Sequence, residues 1–190
     1  KIVTSGGGPG GHIFPAIAIA DAIKRRYPQA DILFIGAKGR MEMERVPKAG
    51  YPIEGLWISG FTKDLSVVTL PFKLASSLTK ARKILKRFRP DAVIGVGGFA
   101  SGPTLKAANW LGIPTIIQEQ NSYPGKTNRN VGQKAKAICV AYDHMEQWFP
   151  KDRIHLTGNP LRANIKASGT REEAAAFFQV DPNKPVVLLV

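Results

Sequence analysis

Short apolar runs rich in β-branched residues alternate along this chain with stretches of helical spacing, and that alternation leaves few architectures open. Residues 1–4, 31–36 (DILFIG), 91–96 (DAVIGV), 115–118 and 137–141 read as strands. Residues 15–26 and 102–111 between them read as helices, with Pro15 at an acceptable first-turn position. The runs are apolar on both faces, which suits strands covered by helices above and below. A parallel strand needs a crossover element to return the chain, and the intervening helices supply it. The expectation is an α/β fold: a doubly wound, Rossmann-like parallel sheet.

The chain changes character after Gly158-Asn159-Pro160, a turn signal. A short helix opened by Arg171-Glu172-Glu173 follows, then a loop at 181–185, then the apolar run 185–190 with nothing behind it. Residues 1–160 therefore read as one domain, and 161–190 as a linker with the opening of a truncated second α/β domain. The alternative is a last strand completing the one sheet. A length of 190 residues suits one full domain and part of another, and 44% hydrophobic content supports an ordinary core. No apolar run approaches the ~18 residues that span a bilayer. The first residues read as a strand entering a glycine loop rather than as a signal peptide. The single cysteine, Cys139, lies in an apolar run and reads as a buried, inert thiol. It leaves no internal disulfide, which fits a cytoplasmic protein.

Two glycine loops carry the chemistry. Ser5-Gly6-Gly7-Gly8-Pro9-Gly10-Gly11-His12 lies between the first strand and the first helix. Glycines let a ligand approach the backbone, and the following helix start offers unpaired N–H groups and a positive dipole end, together an anion site. Gly6, Gly8 and Gly11 satisfy G-x-G-x-x-G, so a dinucleotide reading has to be weighed. It wants an acid at the end of the second strand, where Gly36-Ala37-Lys38-Gly39-Arg40 stands instead. An NADP-dependent oxidoreductase using Lys38 and Arg40 survives as an alternative. His12 at the mouth of the loop suits a general base near neutral pH; capping or packing of the helix start is its plainer role. Gly95-Val96-Gly97-Gly98-Phe99-Ala100-Ser101-Gly102-Pro103 repeats the device after another strand. Two such loops share one sheet edge, where open α/β sheets bind ligands, and they suit a pyrophosphate-bearing substrate. Gln118-Glu119-Gln120-Asn121-Ser122 adds a polar cluster at that edge. It can orient sugar hydroxyls, Glu119 can act as a base or polarise His12, and turn chemistry is the plain alternative.

These segments resemble the MurG family of bacterial glycosyltransferases. Residues 6–16 resemble its first glycine loop (GGTGGHxFPA), and Gly97-Gly98-Phe99-Ala100-Ser101-Gly102-Pro103 its second. Glu119-Gln120-Asn121 matches its HEQN segment, and Gly158-Asn159-Pro160-Leu161-Arg162 its GNPxR segment at the domain junction. The motifs occur in the family's order along the whole chain. The resemblance implies the N-terminal, acceptor-binding half of a two-domain GT-B enzyme. Such an enzyme transfers GlcNAc from UDP-GlcNAc to the muramyl 4-hydroxyl of lipid I, with inversion and no cofactor or metal. It implies that His12, with Glu119 as the other candidate, takes the acceptor proton. Gly10, Gly11, Asn121 and Arg162 would lie at the donor, and Gly97, Gly98, Ser101 and Gly102 at the acceptor pyrophosphate. Pro9 replaces the family's usual Thr, and Gln118 replaces a frequent His. Without the donor half, this stretch of chain is expected to be inactive in transfer.

The formal net charge of +13 points to a polyanionic partner. Leu74, Leu78, Ala81, Leu85 and Phe88 form one helical stripe, read as a core face, with Lys80, Arg82, Lys83, Lys86, Arg87 and Arg89 around it. Residues 67–73 upstream are apolar without clear periodicity, and read as a loop. A solvated basic face is the default. An anionic bilayer surface is the sharper reading, with Leu70, Phe72 and Trp110 dipping into the interface and Lys80, Lys83 and Arg87 on its headgroups. That agrees with what the family resemblance implies: a peripheral protein on the cytoplasmic face of the bacterial membrane, with cell-wall synthesis proteins as further partners. A basic module that binds nucleic acid or membranes without catalysis is the remaining rival. Nucleic acid is not expected, because no motif for it appears and aromatics are not interleaved with the basic residues.

Overall fold

The computed structural model describes residues 1–8, 10–58, 66–162 and 169–187; of residues 66–70 it describes the backbone alone. Seven strands form one sheet: β1 (Ile2–Ser5), β2 (Ile32–Ala37), β3 (Ile53–Leu56), β4 (Ala92–Gly95), β5 (Thr115–Glu119), β6 (Ala137–Val140) and β7 (Ile154–Leu156). They pair in parallel in the order β3-β2-β1-β4-β5-β6-β7. The helices are α1 (Gly10–Arg26), α2 (Glu42–Lys48), α3 (Ser66–Phe88), α4 (Ser101–Trp110), α5 (Lys126–Gly132) and α6 (Arg171–Phe178).

Alternation along the strands builds a core on each face of the sheet. Leu33 and Ile35 of β2 face one cluster, with Ala81, Ile84 and Leu85 of α3, Leu105 of α4, and Ile117 and Ile138. Ile32 and Phe34, their neighbours in β2, face the other, with Ile13, Ala16 and Ile17 of α1, Val46 of α2, and Tyr51. Tyr51 donates its phenol hydrogen to Asp21 Oδ1 at 2.7 Å. Burial and that bond push the phenol well above the ordinary tyrosine value.

The doubly wound parallel sheet agrees with the sequence reading. The elements the sequence left unread are β3, α2, α5 and β7. Each is short or chemically mixed: β3 is IEGL, α2 contains Pro47, α5 is KTNRNVG, and β7 has three residues. Two readings are corrected. The segment 67–73 is not a loop, because α3 runs through it; Pro71 sits in the second turn and forgoes one backbone bond. The expected stripe on α3 holds at Ala81, Leu85 and Phe88, which lie in or against the core, and fails at its first residue. Ser77, Ala81, Ile84 and Leu85 are buried, whereas Leu74 is 38% exposed. The run 185–190 does not form a strand over its described part. Val186 and Val187 are exposed, no sheet edge pairs with them, and residues 188–190 lie outside the described residues.

From β1 the chain winds outward to β2 and β3, then returns to β4 beside β1 and winds the other way. The loops leaving β1 and β4 therefore diverge, which opens a crevice at the carboxyl edge of the sheet. Ser5 pairs in register with Gly95, so both glycine loops leave the sheet at the same level.

Candidate active site

The two glycine loops are packed on each other above that edge. A Cβ on Gly6 would collide with Val96 Cγ2, and a Cβ on Gly98 would collide with the carbonyl oxygen of Gly7. Gly8, Gly97 and Gly98 have φ of 107°, 98° and 84°, the left-handed region that side chains avoid. By contrast nothing among the described residues lies within 4 Å of where a Cβ on Gly11 would stand, so the start of α1 is open among them.

His12 enters from the first turn of α1. A Cβ on Gly97 would lie 3.1 Å from its Nε2 and 3.4 Å from Asn128 Nδ2, so His12, Gly97 and Asn128 converge on one point of the second loop. His12 Nδ1 is buried and has no hydrogen-bond partner among the described residues. Asn128 comes from α5 and is oriented by Glu119. The Glu119 carboxylate, 1% exposed, accepts from Asn121 N and Nδ2 at 3.0 Å through Oε1, and from Gly125 N at 3.2 Å and Asn128 Nδ2 at 2.9 Å through Oε2. Four donors fill both oxygens, so this group holds the 121–128 loop in place. Arg129 over the rings of Tyr123 and Trp148 pins the same loop from outside.

The segment after β7 returns to this edge. Gln118 Nε2 donates to Asn159 Oδ1 at 3.3 Å, and Asn159 Nδ2 donates to the Gln120 carbonyl at 3.2 Å. Arg162 then stacks on the Phe14 ring, 4.3 Å from its centroid, with its Nε buried and unpartnered among the described residues. Phe14 itself packs where a Cβ on Gly10 would be, 3.1 Å from its ring. Residues 10–14 and 162 thus meet, although nearly the whole chain separates them.

A family model described as the glycosyltransferase family 28 N-terminal domain matches residues 2–140. The chain belongs to glycosyltransferase family 28. It is 58% identical, over its whole length and 51% of the relative, to a Phocaeicola vulgatus protein named UDP-N-acetylglucosamine–N-acetylmuramyl-(pentapeptide) pyrophosphoryl-undecaprenol N-acetylglucosamine transferase. It is 56% identical to the protein of that name from Bacteroides thetaiotaomicron, covering 52% of it. The chain thus spans about half the length of the curated relatives it matches. Among solved structures, Acinetobacter baumannii MurG superposes with a TM-score of 0.72 at 28% identity, over 90% of this chain and 47% of that one. A Neisseria meningitidis UDP-GlcNAc 2-epimerase, at 17% identity and a TM-score of 0.60 over 84% of this chain and 47% of that one, shares the fold.

Of the residues expected at a family 28 site, the structure brings His12, Gly97, Gly98, Glu119 and Asn121 together at the crevice, with Arg162 beside Gly10 and Phe14. Gly102 packs against α5, 3.4 Å from Thr127 Cγ2 by the same Cβ construction. Ser101 is fully buried and its Oγ is turned back toward Gly95, so its side chain faces the sheet. Pro9 lies outside the described residues. On α3, Phe72 is 72% exposed and Trp110 on α4 64%, whereas the side chain of Leu70 lies outside the described residues. Lys83 is exposed, but Lys80 donates to the Gly55 carbonyl at 2.8 Å and Arg87 pairs with Glu54. Cys139 is half-buried, and burial pushes its thiol above the ordinary value, with a smaller opposing effect from Thr157. Sequence reading quoted Phe14 only within the first-loop motif, without a role, and it missed Asn128, whose bond to Glu119 crosses between separate elements.

Proposed function

We propose that this chain is the acceptor side of an enzyme that moves GlcNAc from UDP-GlcNAc to the muramyl 4-hydroxyl of a polyprenyl-pyrophosphate-linked MurNAc-pentapeptide. The observation that carries it is His12, set at the open start of α1 against the second glycine loop in a family 28 domain. In the reaction the 4-hydroxyl oxygen bonds to the anomeric carbon as the bond from that carbon to the UDP oxygen breaks. UDP leaves with the electron pair, and the hydroxyl proton passes to His12 Nε2. Attack from the face opposite UDP inverts the anomeric carbon. The backbone N–H groups at the starts of α1 and α4 bind the acceptor pyrophosphate, as helix starts favour anions. Asn121 and Arg162 reach toward the donor, and the Phe14 ring keeps the guanidinium at the crevice. Glu119 acts as a positioning residue for Asn121 and Asn128 rather than as the base, because its lone pairs are filled. Dinucleotide binding finds less support: it would direct the loop's N–H groups at a pyrophosphate, and that of Gly8 is given to Glu42.

A polyprenyl acceptor stays in a membrane, and the outer end of α3 suits its surface. Trp57, Phe72 and Leu74 are exposed there, Lys73 lies over the Trp57 ring, and Arg82, Lys83 and Lys86 are exposed along the same helix. Among the described residues no helix is long and apolar enough to cross a bilayer. The proposed location is therefore peripheral, on the cytoplasmic face, where UDP-GlcNAc is. Reversing Arg82, Lys83 and Lys86 to Glu spares the Arg87–Glu54 pair. At about 1 kcal/mol per basic residue near an anionic surface, it should lower binding to phosphatidylglycerol vesicles by a hundredfold or so, or more. Undiminished binding would move the membrane face elsewhere.

The transfer reading is tested by extending the chain to the full length of its relatives and following GlcNAc transfer to a lipid I analogue. The extended, folded protein should be active and residues 1–190 alone inactive. An inactive extended protein would refute the reading.

A further inference from the structure

Below the first glycine loop lies a buried carboxylate that the chemistry above does not use. Glu42, in the first turn of α2, is 1% exposed. Its Oε1 accepts from Ala37 N at 2.9 Å, and its Oε2 accepts from Gly8 N at 3.2 Å. No ion pair reaches it among the described residues. Two glycines are shaped around it. A Cβ on Gly36 would lie 2.6 Å from Glu42 Cγ, and a Cβ on Gly7 would collide with Oε1. A buried carboxylate without a cation is costly unless it is hydrogen-bonded, so the chain holds it for these two amides.

The two amides differ in what they fix. Ala37 ends β2, which the sheet already holds. Gly8 lies in the loop itself, beyond the end of β1 and at φ of 107°. In a trans peptide the N–H and the C=O of one unit point in opposite directions. Fixing the Gly8 N–H downward on Glu42 therefore aims the Gly7 carbonyl away from it. That carbonyl lies against Gly98, where no side chain would fit. One buried carboxylate thus sets the peptide plane on which the second glycine loop is seated, and it does so a few residues before Gly10, Gly11 and His12.

We propose that Glu42 is a positioning residue. It holds the Gly7–Gly8 peptide so that the first loop seats on Gly98, and this sets His12 over Gly97. The consequence for catalysis rests on the transferase reading. It also implies that the Gly8 N–H is not an anion donor to substrate, so the pyrophosphate is left to the helix starts.

The test uses Glu42→Gln in the full-length protein. The replacement keeps the volume and one acceptor oxygen. The shorter bond to Ala37 N keeps that oxygen, leaving an amide NH₂ opposite the Gly8 N–H. Hydrogen exchange at the Gly8 amide should speed up at least tenfold, while strand amides keep their protection and Tm shifts by less than about 4 °C. Turnover should fall in kcat by about 10- to 100-fold, as expected for a misplaced catalytic group, with KM for both substrates little changed. Glu42→Asp, whose shorter stem cannot hold both amides, should not restore the rate. Unchanged kcat, unchanged protection at Gly8, or global melting of Glu42→Gln would each overturn the proposal; melting would make Glu42 a stability residue. Exchange is read without turnover. An inactive wild-type protein would therefore sink the transferase reading, while Gly8 would still decide whether Glu42 holds the loop.

Discussion

The glycines inside the two loops and the glycine at the start of α1 look alike in sequence and differ in what surrounds them. In the second loop, Gly97 and Gly98 both sit at positive φ, and Gly98 touches the Gly7 carbonyl, so each glycine is needed by the protein's own packing. In the first loop, Gly6 and Gly7 are likewise enclosed, by Val96 and Glu42. Gly11, past the turn, has open space where its side chain would be. A glycine that packing requires marks how the site is built. At the mouth of a crevice, a glycine with empty space beside it leaves room for a ligand to approach the backbone. On the proposed function, the enclosed glycines form the platform and the start of α1 is the part left clear for substrate.

This contrast can be broken most decisively at Gly98. Gly98→Ala forces a side chain onto the Gly7 carbonyl at φ of 84°, and should destabilise the fold by about 2 kcal/mol or more, read as a lower urea midpoint. Gly11→Ala sharpens the contrast from the other side. It lies in a helix with room for a methyl group, so stability should stay level or rise by about 0.5–1 kcal/mol. Transfer should nevertheless fall, because the methyl group occupies space kept for substrate. Equal stability losses at the two positions would erase the distinction between platform and opening.

Much of this was legible in the chain itself. The alternation of apolar runs with helical stretches gave the parallel sheet, since runs such as DILFIG and DAVIGV have no polar face. The glycine loops could be placed at one edge because parallel strands share a direction. What stayed hidden was contact between separate elements. Glu42 lies in a short helix that contains a proline, and nothing in EMERVPK announces a carboxylate turned inward beneath a loop 34 residues away. Asn128 reads as one more polar residue in KTNRNVG until Glu119 is found beneath it. The face of α3 was misread at its outer end because a stripe of spacing cannot tell which apolar residues meet a neighbour. Leu74 continues the periodicity of Ala81 and Leu85, yet it lies beyond the sheet's cover. The arginine at 162 was singled out by its motif, but only the fold shows it resting on Phe14.

The central claim is that His12, seated between the two loops, takes the acceptor proton. The most direct measurement is single-turnover GlcNAc transfer by the full-length protein carrying His12→Ala, alongside a melting curve. The expected result is a rate about 10²–10⁴-fold below wild type with Tm nearly unchanged, because the side chain is only half-buried and its Nδ1 makes no hydrogen bond among the described residues. A wild-type rate from a folded His12→Ala protein would contradict the account and return the base to another residue of the crevice.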